Sequence, residues 1–225
     1  MTSELTQTDI AMFARFGVRP DALECAQVRR LTNEQARAYG FSLRDQPAAD
    51  LSGLVFPYLD PATGYRVTAR LRRDNPEVDA GGKPENKYLC PWGDVRHLYF
   101  PPGAGALLSD DAVSVVISEA EKSALAITAL AESHGRRLLA IATGGCWGWR
   151  GKTGIRTGPN GEREDVRGPL SDFERVTWVR RKVIIAFDAD AASNPKVGAA
   201  RQALAETLAT RGARVFVASL PEEAS

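Results

Sequence analysis

The chain has 225 residues, 29 Lys and Arg against 28 Asp and Glu (formal net charge +1), 44% hydrophobic residues and 25% charged residues. Those proportions are ordinary for a globular protein and exclude a disordered chain, a collagen-like chain and a wholly basic nucleic-acid-coating protein. A neutral sum can still hide segregated charge, and the length suffices to bury a real core as one large or two small domains.

In chain order, three regions differ in texture: residues 1–50, 51–106 and 107–225. The first reads as short helices. One starts at Thr8-Asp9 and stops at Gly17; a second starts near Thr32, with Gln35 three residues on, and ends by Gly40. A small packing or docking module is expected there. The second region reads as strands. Leu54–Leu59 and Tyr65–Leu71 flank the turn run Asp60-Pro61-Ala62-Thr63-Gly64, which predicts a hairpin. A polar loop over 74–86 and a basic-aromatic stretch, Lys87 to Trp92 and Arg96 to Phe100, complete it.

From about residue 111 the pattern alternates. Apolar runs at 113–117, 137–142, 182–187 and 214–218 predict four strands, with helices over about 120–133 and 197–210. Such alternation predicts an α/β fold with a mostly parallel sheet flanked by helices, ligand chemistry lying at the C-terminal edge of the strands. The chain ends soon after the fourth strand, and a longer protein, of which this is one piece, is expected.

Cys25, Cys90 and Cys146 lie far apart, with no C-x-x-C pair and only His97 and His134 beside them, so neither a disulfide framework nor a zinc site is expected. No secretory signal pattern opens the chain and no run of about 18 apolar residues occurs, so a cytoplasmic protein without a membrane span is expected.

Two of the predicted strands run into carboxylates. The first is followed by Ser118-Glu119-Ala120-Glu121-Lys122, the third by Asp188-Ala189-Asp190. Asp188 and Asp190, two apart in an extended turn, can converge on one point, and Glu119 joins them if the two strands are neighbours. Three carboxylates without histidine or thiol make a hard-oxygen site, suited to Mg²⁺ or Mn²⁺. The competing reading makes Glu119 and Asp190 caps of the helices that follow.

VVISEAEKSALAI resembles the first motif of the Toprim fold, and IIAFDADAASNPKVGAARQALAETL resembles its second, Phe-Asp-x-Asp followed by a helix. NKYLCPWGDVRHLYFPP is similar to the segment leading into Toprim in DnaG-type primases, and GGCWGWRGK and VFVASLP are similar to Toprim-like domains of phage, plasmid and mobile-element replication proteins. The resemblance covers roughly residues 50–221. It implies that Glu119 is the acid/base or metal-organising glutamate, that Asp188 and Asp190 are metal ligands, and that Gly144 and Gly145 form a tight turn. Ala120 and Ser123 depart from the family's commoner glycine and aspartate.

The activity so implied is Mg²⁺- or Mn²⁺-dependent, primase-type nucleotidyl transfer from nucleoside triphosphates on a single-stranded DNA template, with a replicative helicase as an implied partner. The same carboxylates would serve a metal-dependent nuclease, and a third reading is a non-catalytic nucleic-acid-binding module.

Arg66, Arg70, Arg72 and Arg73 follow one another without an intervening acid. Period-two alternation puts Arg66, Arg70 and Arg72 on one strand face and Arg73 on the other. A phosphate track and a solvated edge guarded against aggregation both fit that pattern. Lys87, Lys122, Arg150 and Lys152 complete the residues expected to hold template or triphosphate. Gly151-Lys152-Thr153 resembles the end of a P-loop, but Cys146 stands where that motif requires glycine and a long surface loop, to about 174, is expected instead of a helix. Trp147 and Trp149 read as packing residues.

Overall fold

The alternating run from Leu54 to Leu71 forms the centre of a sheet. The computed structural model describes residues 4–188 and 194–218, and the chain divides into two units, meeting between Val95 and Arg96.

The first unit runs, in chain order, α1 (Gln7–Ala14), α2 (Pro20–Cys25), β1 (Arg29–Leu31), α3 (Asn33–Ala38), β2 (Gly53–Leu59), β3 (Arg66–Arg73) and β4 (Tyr88–Leu89). The strands make one antiparallel sheet in the order β1-β2-β3-β4. Capping boxes start α1 (Thr6 with Asp9) and α3 (Thr32 with Gln35), each satisfying orphan amides reciprocally. α1 therefore begins before Thr8. β1 pairs with β2, and Leu31, Ala36, Phe41, Leu51, Val55, Ala69 and Leu71 form one buried cluster. The helices of 1–50 and the strands after them thus share a core.

Asp9 also ties α1 to the sheet. Arg30 donates to both of its oxygens and to Asp74. Burial raises the Asp9 carboxyl, and the hydrogen bonds from Arg30 and Thr6 outweigh it, holding the group below its ordinary range.

The second unit holds strands β5 (Val115–Ser118), β6 (Leu139–Ala142), β7 (Arg150–Thr157), β8 (Arg163–Pro169), β9 (Lys182–Ala186) and β10 (Arg214–Val217), with helices α4 (Glu121–Ser133) and α5 (Pro195–Thr210). β10, β9, β5 and β6 lie side by side in that order, all parallel. From the central pair the chain moves outward in opposite directions, β5 through α4 to β6 and β9 through α5 to β10. Right-handed crossovers in opposite directions put the two helices on opposite faces. Val197, Ala200, Leu204 and Leu208 of α5 share a buried cluster with Val115, Ile117, Ile141, Val183 and Ile185.

Residues 150–169 are an antiparallel hairpin, β7 with β8, and not the expected loop. Most of both strands is exposed, so no apolar alternation marks them; the turn closes where Gly158 donates to the Glu162 carbonyl and Gly161 takes φ 82°. Lys152 and Thr153 lie in β7, where a P-loop requires a helix. Ahead of β5, Tyr99 exchanges two backbone hydrogen bonds with Ala142 on the outer edge of β6, which places residues 96–106 in this unit.

Each unit contains one arginine with almost no exposure. Arg73 (1%) donates to the Asp50 carbonyl and bidentately to Glu77. Arg181 (0%) donates to the carbonyls of Leu107, Leu108, Val113 and Thr177.

Candidate functional site

β5, β6 and β9 end level: Ser118 stands beside Ala142 on one side and Ala186 on the other. β5 and β9 are also the pair from which the crossovers diverge. In an open parallel sheet that divergence opens a crevice beyond the strand ends, the usual place for a ligand.

Glu119 and Asp188 meet at this crevice. The Asp188 amide donates to Glu119 Oε1 at 3.2 Å, a contact between residues far apart in sequence and set next to each other by the β5–β9 pairing. Glu119 is half-buried and Asp188 exposed. Capping does not account for Glu119, because the N-cap of α4 is Ala120. The cap of α5 is Asn194, which accepts from the Lys196 amide, and so not Asp190. Asp190 lies outside the described residues. Among the described residues no group of three or more His, Cys, Asp or Glu is placed to hold a metal ion.

The loop after β6 is docked onto the same strand ends by its backbone. Thr143 N–H donates to the Ser118 carbonyl at 3.0 Å and Gly145 N–H to the Glu119 carbonyl at 2.9 Å. Thr143 Oγ1 donates to the Gly145 carbonyl at 2.8 Å. Gly144 and Gly145 take φ 69° and 110°, which favour glycine. Gly148 closes the loop so tightly that a Cβ there would sit 1.8 Å from the Thr143 oxygen. Thr143 carries this docking without having stood out in the sequence, and Gly148, though it lies inside the GGCWGWRGK motif, had no role assigned to it there.

Behind the crevice, Glu121 opens α4 at 1% exposure, and the buried Tyr99 phenol is pushed far above its ordinary range by burial and by the Glu121 charge. Lys122 follows on α4, half-buried. A pocket of about 180 Å³ lies at the opposite edge, lined by the start of β6 and the end of α4, away from the carboxylates.

The basic residues divide differently from the pattern that alternation predicts. β3 carries a bulge: Tyr58 faces Thr68 but Leu59 faces Arg66, so Val67 is extra. A bulge reverses side-chain parity beyond it. Arg66 therefore leaves the face of Arg70 and Arg72 and lies over the Tyr39 ring at 4.2 Å. Arg70 lies over Tyr88 at 4.2 Å, and the Lys87 amine is 6.0 Å from the same ring. Arg72 pairs across to Tyr88 and is half-buried. Arg73 is corrected outright: buried and held by Glu77, it presents nothing to a phosphate.

In the second unit, Arg150 lies over Trp147 at 4.7 Å, and Lys152 pairs with Asp165 at 2.7 Å. Trp149 is buried against Phe173, as packing requires, while Trp147 is 36% exposed.

A family of proteins described as Domain of unknown function (DUF3854) matches residues 106–225. The chain belongs to this family. The DUF3854 match spans β5 through β10 and so contains Glu119, the glycine turn and the Asp-x-Asp motif. No curated protein matches the chain. Among the described residues no helix is long and apolar enough to cross a membrane.

Proposed function

We propose that this protein is a Toprim-like module performing metal-dependent phosphoryl transfer on nucleic acid, of primase type, in the replication of a phage, plasmid or other mobile element. The observation that carries the reading is the junction of Glu119 with Asp188 at the divergence of β5 and β9. The motif resemblance supplies the chemistry expected there.

The donor set fits a hard cation: the two strand ends bring carboxylate oxygens, with neither thiol nor imidazole at those positions. Glu119 and Asp188, with Asp190, would hold Mg²⁺ or Mn²⁺. Bound there, the ion would supply charge neutralisation on a triphosphate and alignment of a 3′-hydroxyl with the α-phosphate. The chain's own contribution is orientation. The Asp188 amide fixes one Glu119 oxygen, and the Gly145 amide fixes the Glu119 backbone.

Lys122 and Arg150 flank this edge in sequence, and with Lys152, Arg66, Arg70, Arg72 and Lys87 they are the cations assigned to template and triphosphate. Single-stranded DNA and nucleoside triphosphates are the substrates of this reading, with a replicative helicase as partner and the cytoplasm as its setting.

The test incubates the full chain with Mg²⁺ or Mn²⁺ and labelled single-stranded DNA, with and without nucleotides. Extended products are expected. Asp188→Asn and Glu119→Gln should each lower extension by about 10²-fold or more while leaving the circular dichroism spectrum unchanged. Shortened products would replace the primase reading by a nuclease. The absence of any millimolar metal effect on products, stability or DNA affinity would replace both by a scaffold.

A further inference from the structure

We propose a second nucleic-acid site, on the first unit, in which the exposed Trp92 stacks a base of a single strand and Arg29, Arg44 and Arg66, set against Tyr39 and Trp92, hold its phosphates. It goes beyond the phosphoryl-transfer reading, shares only Arg66 with the cations assigned there, and does not depend on the carboxylates.

The site is one continuous patch. Trp92 N–H donates to the Gly40 carbonyl at 3.1 Å, and Pro91 lies against Gly40, so the Trp92 loop is fastened to the end of α3 immediately after Tyr39. Trp92 is 65% exposed. Arg44 lies over its ring at 3.5 Å. The Tyr39 ring has two guanidinium groups, Arg66 at 4.2 Å and Arg29 at 5.4 Å. Tyr39 is braced from below by Phe41, parallel to it at 5.5 Å.

What separates these arginines from their neighbours is the lack of an acid. Arg30 and Arg73 are bound by carboxylates, as is Arg19. Among the described residues Arg29, Arg44 and Arg66 pair with no carboxylate, and the buried Nε of Arg29 has no hydrogen-bond partner. A buried donor without an acceptor is costly and rare. A guanidinium stacked on a ring keeps its in-plane N–H groups for an anion, and phosphate fits that fork.

Three such forks beside one exposed ring ask for a ligand that carries both anions and flat apolar faces. An acidic peptide supplies the anions alone. A duplex hides its base faces in the stack. A single strand supplies both.

Binding of a labelled oligothymidylate of about 15 nucleotides to the full chain, measured by fluorescence anisotropy in EDTA, tests the proposal. Trp92→Ala, Arg44→Ala and Arg66→Ala should each weaken binding by about 5- to 50-fold, and each arginine change should flatten the salt dependence by about 0.7. Arg19→Ala, which removes a cation already paired, should bind as the wild type does. The proposal is overturned if the three patch variants bind as the wild type, if a duplex of the same length binds as tightly, or if an acidic peptide competes equally well. Strand binding in EDTA without extension in Mg²⁺ would sink only the catalytic reading; extension with unaltered binding by the patch variants would sink only this one.

Discussion

In the parallel sheet, β5, β6 and β9 stop level at Ser118, Ala142 and Ala186, and the residues that follow are gathered at one edge whatever their side-chain parity. In the antiparallel sheet, polar groups are sorted by face, and one extra residue at Val67 sends Arg66 to the side opposite Arg70 and Arg72. A site built on strand ends thus tolerates small irregularities within strands, whereas a site built on a strand face is set by them. The two buried arginines differ in a related way. Arg181 satisfies four backbone carbonyls and fastens the segments around Leu107, Val113 and Thr177, while Arg73 answers one carbonyl and one partly exposed carboxylate.

The largest expected effect follows from that difference. Arg181→Met strands several buried carbonyls and should destabilise the second unit by on the order of 4 kcal/mol, read as faster hydrogen exchange in β5 and β9 with β2 and β3 unaffected. A loss under about 1 kcal/mol would mean that those carbonyls find other partners. Asp9→Asn removes the carboxylate that both caps α1 and holds Arg30, and should cost about 3 kcal/mol at neutral pH. Because the folded Asp9 carboxyl is held below its unfolded value, its stabilisation is complete above about pH 4 and disappears as pH falls through the folded value. Chemical denaturation of wild type and variant should therefore converge in acid, and a gap that persists there would break the assignment.

Gly148→Ala forces a Cβ into the Thr143 carbonyl and should cost about 2 kcal/mol, with local exchange of the Thr143 and Gly145 amides as the more specific readout. The smallest effect belongs to the hairpin. Lys152→Ala breaks an ion pair whose two side chains are each about half exposed, and should change the melting midpoint by an amount equivalent to less than about 0.5 kcal/mol.

The parallel sheet was legible because its strands are short apolar runs, and the helices that follow β5 and β9 imply parallel crossovers to β6 and β10. Legibility ended at three places, each for a physical reason. The β7–β8 hairpin is exposed on most of its length, so it carries no burial pattern, and its charged, glycine-containing strands look like loop. The bulge at Val67 has no composition of its own; Tyr65-Arg66-Val67-Thr68 reads as regular strand until the partner strand is known. The burial of Arg73 depends on Asp50 and Glu77, which a reading of strand alternation cannot bring to it. At the candidate site, Glu119 and Asp188 were identifiable as strand-end carboxylates, but their contact required the order β9-β5-β6, which sequence periodicity leaves open.

The Tyr99–Ala142 pair has a consequence for what the sheet can recruit. β6 is the outer strand on that side, and its ladder is already engaged by a segment of its own chain. A foreign strand seeking to lengthen the sheet would have to displace that segment, whose next residues are anchored by His97 and the Leu98 amide on the buried Asp172. Strand addition at the C-terminal end of β6 would therefore have to compete with a pairing already made within a single copy.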